Sequence, residues 1–226
     1  MKTITLLTAA MLVTPLAAQA PDRGGESRIQ LHGEFMRPRQ VVIGQVNLND
    51  VKDQAENQIG FGIRLIGELP GTNDWYYELG GKLESSSKFA SKPSAPNGQT
   101  DTTGVKFKYS YVTLGMGYLW GLAPGLSLGA HLEARVEALN LSGTMYTNSA
   151  AQQVDASVTY VRPWARVSLD YAFRAGGTSP FIGVDASLAM LKSSQDSIVA
   201  LAAADDNTVK SMAPQASFSV YVGLKF

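Results

Sequence analysis

The chain has no cysteine and only two histidines, His32 and His131. The missing thiols exclude disulfides, cysteine-based zinc sites, iron–sulfur clusters and thiol catalysis together. Charge is scarce as well: 17% of residues are charged, against roughly 25% in an ordinary soluble domain. Lys and Arg number 19, as do Asp and Glu, so the formal net charge is zero. That balance argues against a nucleic-acid partner, which favours a basic excess. No apolar run after residue 20 approaches the ~20 residues of a membrane helix. Walker, dinucleotide, calcium-loop and nucleophile-elbow motifs are also missing.

What is present begins with an export signal. Lys2 gives a short basic start, Ile4 to Leu16 an apolar segment, and Ala18-Gln19-Ala20 a small-residue cleavage site. We therefore expect a cleaved secretory signal peptide over 1–20 and a single mature domain over 21–226. No cysteine follows the cleavage site, so no lipoprotein anchor is expected.

The apolar residues of the mature segment then recur at period two. Eight stretches show it: Ile29 to Phe35, Ile59 to Leu65, Trp75 to Leu83, Val112 to Tyr118, Leu126 to Val136, Ala165 to Phe173, Ile182 to Met190 and Phe218 to Phe226. Between them, connections alternate strictly. Long ones span roughly 37–57, 88–104, 143–153 and 193–212; short, Gly-bearing ones span 70–74, 121–125 and 175–179. A soluble sandwich has no reason to sort its loops this way. A membrane barrel does, with turns on the periplasmic side and loops outside. Trp75, Tyr77, Tyr118, Trp120, Tyr171, Phe173 and Phe226 gather near the short turns, as an interfacial girdle does.

The chain ends Ser217-Phe218-Ser219-Val220-Tyr221-Val222-Gly223-Leu224-Lys225-Phe226. Val222, Leu224 and the final Phe226 resemble the C-terminal signal read by the outer-membrane assembly machinery. With the signal peptide, even strand count and loop sorting, the mature chain resembles the small eight-stranded outer-membrane barrels of the OmpA/OmpX type. The resemblance implies an all-β, eight-stranded antiparallel up-and-down transmembrane barrel in the bacterial outer membrane. It implies outer-membrane lipid, lipopolysaccharide and the assembly machinery as partners, with an extracellular ligand through the loops. No peptidoglycan-binding domain is expected after Phe226.

With the apolar set facing lipid, the inward set is Glu34, Arg64, Glu68, Glu78, Lys82, Glu84, Glu133, Arg135, Glu137, Arg166, Asp170, Asp185 and Lys225. Buried charges must pair. A salt-bridged lumen is predicted from Glu34, Arg64, Glu68, Glu78, Lys82, Glu133, Arg135, Arg166 and Asp170, each cation meeting a carboxylate. The function implied is a structural or surface-interaction role, in adhesion or envelope integrity, with a closed lumen. A narrow pore or small-ligand barrel is the alternative, and a lipid A-modifying enzyme a further one.

His32 and His131 each precede a glutamate at i+2, on one strand face. They read as lumen histidines, with a metal site as the sharper option. Neither has a serine at i±2, so no catalytic residue and no cofactor is assigned. Lys106 and Lys108, just above the membrane, read first as a solvated rim, with lipopolysaccharide phosphates as the sharper option. Apolar phase shifts from even to odd between Val154-to-Tyr160 and Ala165-to-Tyr171, around Arg162-Pro163, which predicts a bulge at 161–164. A similar shift between Tyr111 and Val112 reads as the fourth strand rising above the bilayer. Finally, seven apolar residues run in a row between Ser197 and Asp206; the segment is expected to pack above the membrane and close the barrel mouth, with an exposed partner-binding patch as the alternative.

Overall fold

A computed structural model describes residues 26–38, 41–43, 51–53, 55–72, 74–89, 94–95, 98–101, 103–147, 150–173, 178–191 and 206–226. The expected signal segment 1–20 lies outside the described residues.

Twelve strands and one short helix are described. They are β1 (Ser27–Met36), β2 (Val41–Ile43), β3 (Val51–Asp53), β4 (Gln58–Glu68), β5 (Trp75–Lys88), β6 (Ser94–Ala95), β7 (Gly98–Asp101), β8 (Val105–Ala123), β9 (Leu126–Thr147), β10 (Ala150–Ala172), β11 (Ser179–Ala189), α1 (Asp206–Ser211) and β12 (Ala216–Lys225). Eight of them pair antiparallel in the ring β1-β4-β5-β8-β9-β10-β11-β12, and β12 returns to β1 from Arg28↔Lys225 to Met36↔Ser217. Ser27 and Phe226 close the seam by exchanging two backbone hydrogen bonds of 2.9 Å. Ring closure pairs both edges of each of these eight strands, which lipid demands.

The outer surface carries the expected apolar sets. Leu31, Phe61, Leu83, Leu114, Leu132, Val167 and Leu188 are all exposed. Exposed apolar area of that extent is the mark of a lipid-facing belt. At its lower edge Trp75 packs edge-on to Tyr118, Tyr118 against Trp120, and Tyr171 against Phe173.

Two expectations about connections and register are corrected. Only two residues separate β9 from β10, so 143–153 is not a loop but the tip of a long hairpin paired from Thr147↔Ala150 down to Leu126↔Tyr171. That pairing also runs without a shift through Val161↔Val136, Arg162↔Arg135 and Pro163↔Ala134, so β10 has no bulge at 161–164. In an antiparallel ladder a residue's N and C=O point to the same neighbour. The Pro163 carbonyl accepts from Met190 N at 2.9 Å. Its missing donor therefore faces the top of β11, where that ladder ends, and costs β9 nothing. Pro163→Val is accordingly expected to change thermal stability by less than about 1 kcal/mol; a larger loss by heat-modifiable gel mobility would refute this.

The phase shift has another cause. Even-numbered residues of β10 point inward throughout: Val154 and Val158 above, Arg162, Trp164, Arg166, Ser168 and Asp170 below. What changes is the content of the interior. In β8, Val105, Phe107, Tyr109 and Tyr111 are buried above Thr113; in β9, Leu139 and Leu141 are buried above Glu137, Arg135, Glu133 and His131. Within the belt the outside meets lipid, so the polar residues face in. Above the belt the outside meets water, so the barrel inverts and encloses an apolar core. Gly143 permits the close approach of β9 to the start of β8: its φ is 142°, and a Cβ there would meet the Gly104 carbonyl oxygen at 2.1 Å.

A register shift does occur, in β5 between Lys82 and Ser85, where β5 has one residue more than β8. It turns Glu84, expected inward, to the outside, where its carboxylate meets Lys108 Nζ at 2.9 Å.

The apolar upper core also holds Met36, Ala55, Phe89 and Met145 and, from the β11–β12 connection, Val209, Met212 and Ala213. The helix α1 thus caps the core just past the apolar segment expected to close the mouth. Residues 197–205 of that segment lie outside the described residues.

Candidate functional site

The lumen inside the belt is a layer of charge. Arg64 Nη1 donates to Asp185 Oδ2 at 2.7 Å and its Nε lies 3.3 Å from Glu78 Oε1. Arg166 meets Glu78 and Glu133 in short charge-assisted contacts, and Asp185 Oδ2 at 3.7 Å. Arg135 Nε donates to Glu133 Oε2 at 2.9 Å, Nη2 to Ser187 Oγ at 3.1 Å, and Nη1 approaches Glu34 Oε1 at 3.5 Å. Tyr111 Oη donates to the other Glu34 oxygen at 3.0 Å. The Arg135 guanidinium is held between the Tyr111 and Trp164 rings, 4.4 and 4.2 Å from their centroids.

Every one of these seven ionised side chains except Glu34 has at least two partners of opposite charge, and many bonds cross the barrel. Arg64–Asp185 links β4 to β11, Arg166–Glu78 links β10 to β5, and Arg135–Ser187 links β9 to β11. Arg28 on β1 reaches Asp170 on β10 at 3.1 Å and also pairs with Glu26 near the periplasmic rim. Strands that never share a ladder are thus tied through the interior.

Two residues of the expected set sit elsewhere. Lys82 donates to the Ser85 hydroxyl and to the Tyr109 carbonyl at 3.2 Å, and no carboxylate among the described residues lies within ion-pair distance of it. The β5 bulge places Ser85 beside it. Glu68 is half-buried at the rim, where its Oε2 accepts from the Glu26 backbone N at 3.0 Å.

Four participants fall outside the lumen network expected from sequence: Asp185, Arg28, Arg162 and Glu137. Asp185 belongs to the inward set, but nothing along the chain places β11 across from β4 and so marks it as a partner. Arg28 shares the inward phase of Gln30 and His32, and that signal was readable. Arg162 was hidden by the apparent phase shift; it pairs with Glu137 at 2.9 Å and donates to the Pro214 carbonyl at 2.6 Å, while Trp164 Nε1 donates to Glu137 at 2.6 Å. This group ties the top of the charge layer to the segment after α1.

His32 and His131 do not converge on a metal: among the described residues no cluster of three or more His, Asp or Glu can hold one. His131 Nε2 lies 3.2 Å from Ser168 Oγ, and Nδ1 lies 3.6 Å from Glu78 Oε2. The serine comes from the neighbouring strand β10, which a search along the histidine's own strand misses. Glu78 is already bound by two arginines, and Ser168 is 2% exposed, so the arrangement presents no hydroxyl to a substrate. The His32 ring packs on Gly62, where a Cβ would lie 2.4 Å from it.

Val222, Leu224 and Phe226 point outward from β12 into the belt. The closed ring, the apolar belt with its aromatic lower edge, and the inverted polar interior define an eight-stranded transmembrane β-barrel. No protein-family model matches the chain, and no curated protein matches it. Among solved structures it is similar to Ail, the attachment invasion locus protein of Yersinia pestis, crystallised with the heparin analogue sucrose octasulfate. That likeness has 16% identity and a TM-score of 0.48 over 90% of this chain and 100% of Ail. It is also similar to OprG from Pseudomonas aeruginosa (10% identity, TM-score 0.48, 90% and 97% of the two chains). Neisserial surface protein A shows 9% identity and a TM-score of 0.42 over 90% and 98%.

Proposed function

We propose that the chain is exported by a cleaved signal peptide at residues 1–20, enters the outer membrane through recognition of Val222, Leu224 and Phe226 by the assembly machinery, and serves as a structural or surface-interaction barrel with a closed lumen. The observation that carries the closed lumen is the set of ion pairs between strands that share no ladder, Arg64–Asp185 and Arg166–Glu78 above all. An eight-stranded barrel is only wide enough for side chains, and arginines bridging it leave the section filled. The apolar core with α1 stops the outer end. An extracellular ligand then meets the loops and hairpin tips, not the lumen.

One observation favours the narrow-pore alternative. Both nitrogens of His32 and the hydroxyls of Thr113, Ser217 and Ser219 are buried without a hydrogen-bond partner, and groups of that kind hold water. Planar-bilayer recording separates the two readings: the closed barrel gives no single-channel steps, and reproducible small-ion steps would establish the pore. Because His131 and Ser168 are buried, we read no lipid A chemistry. Lipid A from expressing cells should keep its mass.

A further inference from the structure

The wall is broken between β4 and β5 in its upper half. Their ladder runs from Glu68↔Tyr76 up to Gly62↔Lys82 and stops there. The strands rejoin where Glu56 N donates to the Lys88 carbonyl at 2.8 Å and Ala55 bridges Phe89. The extra residue of β5 is the cause. Below it Gly62 and Lys82 face the interior together. Above it the same register would set inward Gly60 against outward Glu84, and inward Gln58 against outward Ser86. Ladder partners share a face, so among the described residues no ladder pair joins 58–61 to 83–88.

One side chain spans the break. Gln58 Nε2 donates to Ser87 Oγ at 3.1 Å and to the Phe107 carbonyl of β8 at 2.9 Å, while its Oε1 accepts from Ser85 Oγ at 2.9 Å. Ser85 links this amide to Lys82, the one lumen cation among the described residues with no carboxylate within ion-pair distance. The Lys82 ammonium lies 4.9 Å from the Tyr109 ring centroid, and a Cβ on Gly60 would meet it at 2.9 Å. Outside the break, Ile59, Phe61 and Leu83 are 69%, 67% and 68% exposed. Ile63, Gly81 and Val112 share a level just below it, and Asn57 and Ser110 stand above that level. The break therefore lies where hydrocarbon gives way to headgroups.

We infer that this break is a binding site for a long-chain carboxylate of the outer leaflet. The head reaches Lys82 between the strands, and the chain lies outside against Ile59, Phe61 and Leu83. The site goes beyond the closed-lumen reading, since nothing passes along the barrel axis. A buried ammonium gains most from an ionised partner. One carboxylate oxygen takes the place that Ser85 Oγ and the Tyr109 carbonyl now hold, the Ser85 hydroxyl donates to the other, and the Gln58 amide leaves the break. A planar carboxylate on a single chain fits between two strands, and a phosphodiester set between two chains does not. Gly60 keeps the way to Lys82 clear, because any side chain there would meet the ammonium.

The experiment uses the full refolded chain in uncharged detergent micelles, with laurate as the probe and methyl laurate and acetate as controls. In native mass spectrometry the wild-type chain should retain laurate and not its methyl ester, and millimolar acetate should not displace it. Lys82→Met should weaken laurate retention by about tenfold or more, as the loss of a charge-assisted contact does. Gln58→Ala should speed laurate uptake by about tenfold, because the strut no longer has to leave. A laurate analogue with a photoreactive diazirine on its chain should label Ile59, Phe61 or Leu83 in the wild-type chain, a readout that needs no variant to fold. Equal retention of laurate and its ester overturns the site, as does wild-type retention by a folded Lys82→Met barrel. Labelling confined to other strands, or Gln58→Ala uptake at the wild-type rate, overturns it as well. If acetate displaces laurate, the site takes free carboxylates and the lipid assignment falls. Single-channel steps in planar bilayers would overturn the closed lumen and leave this site standing.

Discussion

Arg166→Ala should cost about 3–5 kcal/mol of folding stability, the usual penalty for removing one partner from a buried charge group. The guanidinium meets Glu78, Glu133 and Asp185 at once. Without it three carboxylates face one another in an interior that water reaches poorly. Arg64 still holds Glu78 and Asp185, and Arg135 still holds Glu133, so the barrel should fold but lose its gel-mobile form at a clearly lower temperature. Arg135→Ala should act in the same range, since it strips Glu133 and Glu34 and empties the slot between Tyr111 and Trp164. Adding Glu78→Gln to Arg166→Ala should recover part of the loss, because the two effects share one interaction. An Arg166→Ala protein as heat-stable as wild type would mean that the layer is hydrated and open, and the filled-lumen reading would fall.

The second large effect concerns the outer core. Val209 is fully buried beside Met212 and Ala213, and Val209→Asp puts a carboxylate into that apolar core. The variant should release α1 from the mouth while the belt and charge layer stay intact. Lys210 is half-buried on the folded helix, so trypsin cleavage there should accelerate by about tenfold or more once the segment opens. The temperature at which heat-modifiable mobility is lost should change much less than in Arg166→Ala. If cleavage at Lys210 is as slow as in wild type, α1 is not held by the apolar core. If the whole barrel is digested, the upper core and the charge layer are one cooperative unit.

The two substitutions address two halves of one interior, and the halves differ because the solvent outside differs. Within the belt the hydrocarbon takes the apolar face and the polar face must satisfy itself inside. Above it the same strands stand in water and pack as a soluble barrel does. This explains why Tyr109, Tyr111, Leu139 and Leu141 belong to an apolar core although they continue strands whose inward residues lower down are Thr113, Glu133, Arg135 and Glu137.

Period-two patterning, sorted connections and an aromatic end were enough to determine eight strands, their order and the face each turns to lipid. Each is a local property: alternate side chains on a strand point to opposite sides, and an apolar residue facing hydrocarbon leaves its neighbour facing in. Tertiary structure decided what local pattern leaves open. The shift at Pro163 looked like a break in pairing because sequence records which phase is apolar, not which solvent surrounds that height of the strand. Glu84 was read as inward because an extra residue in one ladder appears only when its partner strand is in place. Lys82 was expected to meet a carboxylate and meets Ser85 and a carbonyl for the same reason. Asp185 and Arg28 entered the charge layer through ring closure, which sets β11 across from β4 and brings β1 within reach of β10. Pairing across a lumen depends on the stagger and circumference of the closed sheet, and neither is written in the spacing of residues along one strand.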